Sequence, residues 1–171
     1  MQAAGIIVYK EIEQKVLILL LQTSYGEHHW TPPKGTRSFP KMILSPILRH
    51  NMSYQQVVSG FVDGNEEPLT AAYRETEEEA GLRRSDLVLH EDFKKTLNYF
   101  DPSKQKNKCV IYWLAKVASN EVTVKLSSEH RDFKWLELPE ACALAGHSDM
   151  AELFQSAADF LKRKHESFPA K

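Results

Sequence analysis

The sequence predicts an α+β fold, a mixed β-sheet covered by helices. Three observations predict it. Short aliphatic runs of strand character open the chain, an acidic helical segment interrupts the strands near the middle, and two helical segments close it. A length of 171 residues allows a single domain over residues 1–171 with a sizeable core that needs neither disulfides nor a structural metal.

Residues 5–9 and 16–22 are rich in β-branched and aliphatic side chains and are separated by a polar link over 10–15. They read as neighbouring strands, the second apolar on both faces. Residues 25–35 hold Gly26, His28, His29, Trp30 and the pair Pro32 and Pro33, which a central strand or helix interior does not admit, so a shaped loop is expected. Asn65 is placed to cap a helix with Glu66, Glu67 and Pro68 in its first turn, where carboxylates meet the positive end of the helix dipole. Gly81 supplies its stop. Residues 87–99 and 109–117 read as strands joined by a Lys-rich turn, and 132–136 as a weaker strand. Pro139 opens a short helix, and 149–164 is amphipathic with helical period.

With 22 Lys plus Arg against 23 Asp plus Glu, no global field favours nucleic acid or an anionic membrane surface, so anion binding must be local. Cys109 and Cys142 are well separated, lack metal-ligand spacing and read as buried, reduced thiols. The longest apolar stretch, residues 16–21, is too short to cross a bilayer, and no basic segment precedes an apolar signal core at the N-terminus. The expectation is a cytoplasmic or nuclear protein, monomeric, with no membrane partner and no obligatory nucleic acid.

The central helix carries the chemistry. Glu75, Glu78 and Glu79 stand three and four residues apart, which puts their carboxylates along one face. Unpaired, they repel one another. A hard divalent cation relieves that repulsion, since Mg2+ prefers oxygen ligands and shares its shell with substrate phosphates and water. Arg74 can hold a carboxylate one turn on. A solvated acidic face is the bland alternative for three glutamates on a helix.

The surrounding spacing decides between them. Gly60, five residues, Glu66, seven residues and then the run R-E-T-E-E-E-A-G-L over 74–82 resemble the signature of the Nudix family at every defined position. The resemblance implies an α/β/α sandwich with a catalytic loop-helix-loop, Glu75, Glu78 and Glu79 as metal ligands, and Arg74 as their orienting partner. The flanks H-H-W-T-P-P-K-G over 28–35, L-N-Y over 97–99, V-I-Y-W-L-A over 110–115, and Glu129-His130 are similar to animal members that cut dinucleoside tetraphosphates. That similarity spans nearly the whole chain apart from residues 36–60. It implies asymmetric hydrolysis of diadenosine tetraphosphate to ATP and AMP by water attack on phosphorus. Mg2+ is the implied cofactor, with Mn2+ or another divalent cation as the alternative.

Further site residues follow from the same resemblance. Glu129 matches the general base position, and His29 and Lys34 lie where phosphate is met. Lys106 and Lys108 alternate and so can meet successive phosphates from one side. Tyr99 and Phe133 match two positions that sandwich an adenine ring, Phe133 replacing the Tyr expected there.

One segment does not fit. In the relatives Lys34-Gly35 runs directly into the motif, whereas here residues 36–60 intervene. Either Gly60, which satisfies the motif by count, or Gly35, which has the expected neighbours, supplies the backbone carbonyl that the family uses as a metal ligand. Displacement by about 1 Å costs on the order of a hundredfold in rate. Two other readings therefore stand beside the hydrolase: a nucleotide-binding variant impaired in turnover, and an enzyme that removes nucleotide caps from RNA 5′ ends.

Overall fold

The computed structural model describes residues 2–36, 66–101 and 105–167. Within them lie strands β1 (Gln2–Ile12), β2 (Lys15–Thr23), β3 (Trp30–Thr31) and β4 (Lys34–Thr36), helix α1 (Pro68–Ala80), strands β5 (Leu87–Asp101), β6 (Lys106–Val117) and β7 (His130–Leu136), and helices α2 (Leu138–Ala145) and α3 (Ser148–Ser167). The expected α+β sandwich is present. One mixed sheet runs in the order β3-β2-β1-β6-β5, with β4 added to β1 and β7 to β2. Among the described residues only β1 and β6 pair in parallel; the other pairings are antiparallel.

The polar link between the first two strands is shorter than expected. Tyr9 to Ile12 pair with Ile18 to Lys15, leaving Glu13 and Gln14 as a two-residue turn. Both have positive φ, 50° and 66°, the conformation that matches the twist of a tight hairpin. At the other end β1 leaves β2 and pairs with β4 through Ala3, Ala4 and Gly5. The two strands thus open like a fork, and residues 30–36 sit in the opening. The shaped loop expected there contains two short strands joined through Pro32 and Pro33, and the Ile6 N–H donates to the Pro33 carbonyl at 3.1 Å.

Each face of the sheet has its own core. Ile7, Ile18, Leu20, Val110, Tyr112 and Leu114 pack beneath α2 and α3, while Ile6, Val8, Leu19, Leu21, Ile111 and Trp113 pack beneath α1. The alternation follows from the period of two along strands. Helix α1 lies close to the sheet because its inner positions are the small Ala71, Ala72 and Ala80, all fully buried. Thr76, buried with them, satisfies its hydroxyl on the Ala72 carbonyl at 2.7 Å.

The helix starts later than the acidic first turn suggested. Pro68 occupies its first turn and Glu67 the cap position, with no side-chain cap hydrogen bond, so Glu66 and Glu67 precede the helix; Asn65 lies outside the described residues. Gly81 ends it as expected, at φ 70°. Cys109 on β6 and Cys142 on α2 are free thiols, half-buried rather than fully buried.

Candidate active site

The C-terminal half of α1 faces the fork between β1 and β2. Glu79, only 9 % exposed, accepts the backbone N–H of Lys34 at 2.9 Å. Burial pushes its carboxyl up to about 7, against the lowering effect of that hydrogen bond and of the Lys34 charge, with Glu75 and Glu129 raising it further. Glu75 is raised in the same direction, first by burial, although Arg74 pulls it down.

Gly35 lies directly against Glu75. A Cβ built on Gly35 would overlap the Glu75 carboxylate, so the absence of a side chain here is a condition of the site's shape. The β4 strand therefore delivers Lys34 to one glutamate and Gly35 to the other. Gly60 lies outside the described residues.

Arg74 organises the remaining acids. Its Nε and Nη2 meet the two oxygens of Glu66 at 2.9 and 3.1 Å, a bidentate pair. Its Nη1 meets Glu75 at 2.9 Å and Glu78 at 3.0 Å. Glu78 is thereby turned outward and is more than half exposed. Of the three carboxylates expected as metal ligands, Glu75 and Glu79 form the inner pair, while Glu78 turns to the Arg74 guanidinium four residues before it. Among the described residues no three acidic, histidine or cysteine side chains gather as a complete cation cage. A half-buried and a buried carboxylate, both raised first by desolvation, still suit Mg2+, which is held by one or two carboxylates plus phosphate oxygens and water rather than by an all-protein cage.

Glu129 approaches from a separate loop. Its charge acts on Glu75, Glu79, His130 and the phenol of Tyr25. Lys34 also acts on His130, whose imidazole burial holds below its usual range. Tyr25, 63 % exposed at the mouth, is a residue that sequence reading passed over as ordinary loop. The signal was present in an aromatic side chain placed beside Gly26 on a turn, where φ of 64° lets the chain reverse.

The other expected substrate residues are dispersed. Tyr99 and Lys108 are register partners on β5 and β6, and the Lys108 ammonium lies 5.9 Å from the Tyr99 ring centre. Tyr112, fully buried, has its phenol held well above its usual range first by burial and then by the charges of Tyr99 and Glu79. Lys106 opens β6, but its side chain lies outside the described part. Tyr99 packs with the core beneath α2 and α3, whereas Phe133, opposite Leu21 on β2, packs with the core beneath α1. The structure does not bring these two rings together as a sandwich, because their strand positions point to opposite faces of the sheet. His29 stands on the loop before β3, 3.7 Å from Glu27 and with its ring 5.5 Å from that of His147. His147, between α2 and α3, carries no local sequence signal; only the tertiary fold puts it there.

A polar groove of about 430 Å³ between β5 and α3, lined by Asp92, Phe93, Lys95, Asp159 and Arg163 among others, belongs to the sheet face opposite α1 and holds none of these acids.

Comparison with known proteins gives the family and the fold. Residues 44–157 match the NUDIX domain family. The asymmetrical bis(5′-nucleosyl)-tetraphosphatase of Caenorhabditis elegans is 39% identical over 160 residues, covering 94% of this chain and 96% of the relative. Its counterpart from Rattus norvegicus is 36% identical over 167 residues, covering 94% and 95%. The crystal structure of a C. elegans Ap4A hydrolase binary complex superposes with a TM-score of 0.76 at 38% identity, covering 94% of this chain and 97% of that one. A Nudix hydrolase from M. smegmatis, at 17% identity and a TM-score of 0.62, shares the fold.

Proposed function

The chain belongs to the Nudix family of pyrophosphohydrolases, and from that premise we propose that it cuts diadenosine tetraphosphate asymmetrically, to ATP and AMP, with Mg2+ as cofactor. The observation that carries this reading is the seating of Gly35 and Lys34 against Glu75 and Glu79, in a chain similar over 94% of its length to asymmetrical tetraphosphatases.

Glu75 and Glu79, with the Gly35 carbonyl, are the groups that would hold the cation; Glu78 is the further carboxylate able to turn in from Arg74. The bound ion supplies positive charge for the phosphate oxygens as the bond to the leaving nucleotide breaks. The chain's own residues do the rest. Arg74 fixes Glu75 in direction. The Lys34 N–H fixes Glu79, and the Lys34 ammonium draws the anionic substrate toward the pair. Glu129 takes the proton of the attacking water. Tyr99 and Lys108 offer an aromatic face and a cation for a nucleotide, and His29 and Lys106 further contacts to its phosphates. Phe133 is retained only as an aromatic contact apart from Tyr99.

The insertion at 36–60 leaves Gly35 and β4 in place, which favours turnover over a binding-only role. Every proposed group comes from one chain, so a monomer suffices, and free thiols suit a reducing compartment such as the cytoplasm. No described helix is long and apolar enough to cross a membrane.

The test is turnover of diadenosine tetraphosphate with and without Mg2+, for the native chain and Glu79→Gln. Activity that requires the cation and falls by at least about a hundredfold in the variant supports the reading. Undiminished activity in Glu79→Gln removes the acid pair from the mechanism.

A further inference from the structure

Two elements far apart in sequence must keep a fixed distance for the proposed reaction: the end of α1, which carries Glu79, and the loop that carries Glu129. One serine joins them. The Ser127 N–H donates to the Glu79 carbonyl at 3.3 Å, and its Oγ accepts the Glu129 N–H at 3.3 Å. The same Oγ lies 3.5 Å from His130 Nδ1, and the Ser127 carbonyl accepts the His130 N–H at 3.2 Å. Residues 127–130 are thus closed into a tight turn whose first residue is fastened to the helix.

The attachment is reinforced on both sides. Lys125 N–H donates to the Ala80 carbonyl at 2.8 Å, and Gly81 admits that approach, since a Cβ there would lie 2.8 Å from Lys125 Cβ. From the strand side, Ser24 N–H donates to the Glu129 carbonyl at 2.8 Å and Ser24 Oγ to the Ser128 carbonyl at 2.9 Å. Backbone bonds alone would fasten 125 and 127 to the helix and 129 to Ser24, just past β2. The Ser127 hydroxyl is what ties the Glu129 amide to the residue anchored on Glu79.

We propose that Ser127 is a positioning residue for hydrolysis, its hydroxyl fixing the Glu129 carboxylate relative to the Glu79 end of the acidic helix. It touches neither substrate nor reacting atoms. The proposal rests on the reading of Glu129 as the general base. Loss of the hydroxyl releases one backbone bond in an exposed turn, so the fold is retained while the base samples unproductive positions, and a 1 Å error in such placement costs up to about a hundredfold.

The experiment is a double-mutant cycle on the full chain with diadenosine tetraphosphate, using Ser127→Ala, Glu129→Gln and the pair, with Ser127→Thr as the hydroxyl-retaining variant. Ser127→Ala is expected to lower kcat about tenfold, a cost of about 1.4 kcal/mol, with KM unchanged within about twofold. Ser127→Thr should keep most of the activity, and in the Glu129→Gln background Ser127→Ala should cost nothing further. A native kcat for Ser127→Ala, or an equal loss in both backgrounds, overturns the proposal while leaving Glu129 in its role. Full activity in Glu129→Gln alone overturns the reading on which it rests. Should Ser127→Ala unfold, Ser127→Cys, whose sulfur keeps the volume but accepts a hydrogen bond only weakly, replaces it in the same cycle with the same two outcomes.

Discussion

At Gly35 a single added methyl separates the two ways of completing the cation site. The Cβ of Gly35→Ala would overlap Glu75, so we expect turnover to fall by at least about tenfold with the thermal midpoint nearly kept, whereas Gly60→Ala should leave kcat close to native. Steady-state kinetics of the two variants decide it, and the reverse ranking would move the ligand position to Gly60. The acidic residues themselves were legible in sequence, because spacing of three and four is a local property of one helix. Their directions were not. Arg74 has Glu66, Glu75 and Glu78 all within reach, and only the fold shows that Glu78 is the one left outside. A second prediction concerns His90, which bonds the Tyr9 hydroxyl at 2.8 Å and packs edge-on against Phe160. Burial, then the Lys164 charge, holds its imidazole below the usual range. With the folded value depressed, its contribution to stability is complete above about pH 6.5 and is lost as pH falls through that value toward the folded one. Urea unfolding at pH 7.5 and pH 5.5 should therefore show a smaller drop for His90→Gln than for the native chain; equal drops would contradict it.

The elements were legible where burial is one-sided or complete, and least so where tertiary pairing sets them. Ile18 to Leu21 read as a strand buried on both faces and are one, sandwiched between the two cores. β3 and β4 have no strand-like pattern of their own; they exist because β1 and β2 diverge and expose edges for them to pair with. The fifth strand hides a similar departure: between His90, opposite Leu114, and Lys94, opposite Trp113, three residues are extruded as a bulge. Phe93 is thereby turned into the core against Phe160, which no alternation rule anticipates. Gly81→Ala should destabilise by roughly 1–2 kcal/mol from its left-handed backbone alone. Crowding of Lys125 adds to that and should also lower kcat, since the same junction carries the Glu129 loop. Denaturant titration and kinetics on one preparation check both effects, and a loss of stability with native kcat would uncouple the helix end from the site.

Over the whole molecule, the fork between β1 and β2 is the feature that makes the site. It seats residues 30–36 across the sheet from which α1 is suspended, so residues near 34, 75, 79 and 129 meet although they are spread over most of the chain. The family signature made that assembly readable in outline. The contributions of Ser127 and His147 were not readable, because each acts through a contact made only in the folded chain. Since β4 pairs correctly ahead of residues 37–65, the inserted chain should turn over within about tenfold of a variant lacking 36–60, well short of the hundredfold that a misplaced ligand would cost. Side-by-side kcat/KM values test this. The most direct measurement of the central claim is the product ratio from diadenosine tetraphosphate incubated with the purified full chain and Mg2+, resolved by anion-exchange chromatography. Equal amounts of ATP and AMP are expected; two molecules of ADP, or intact substrate, would contradict the account.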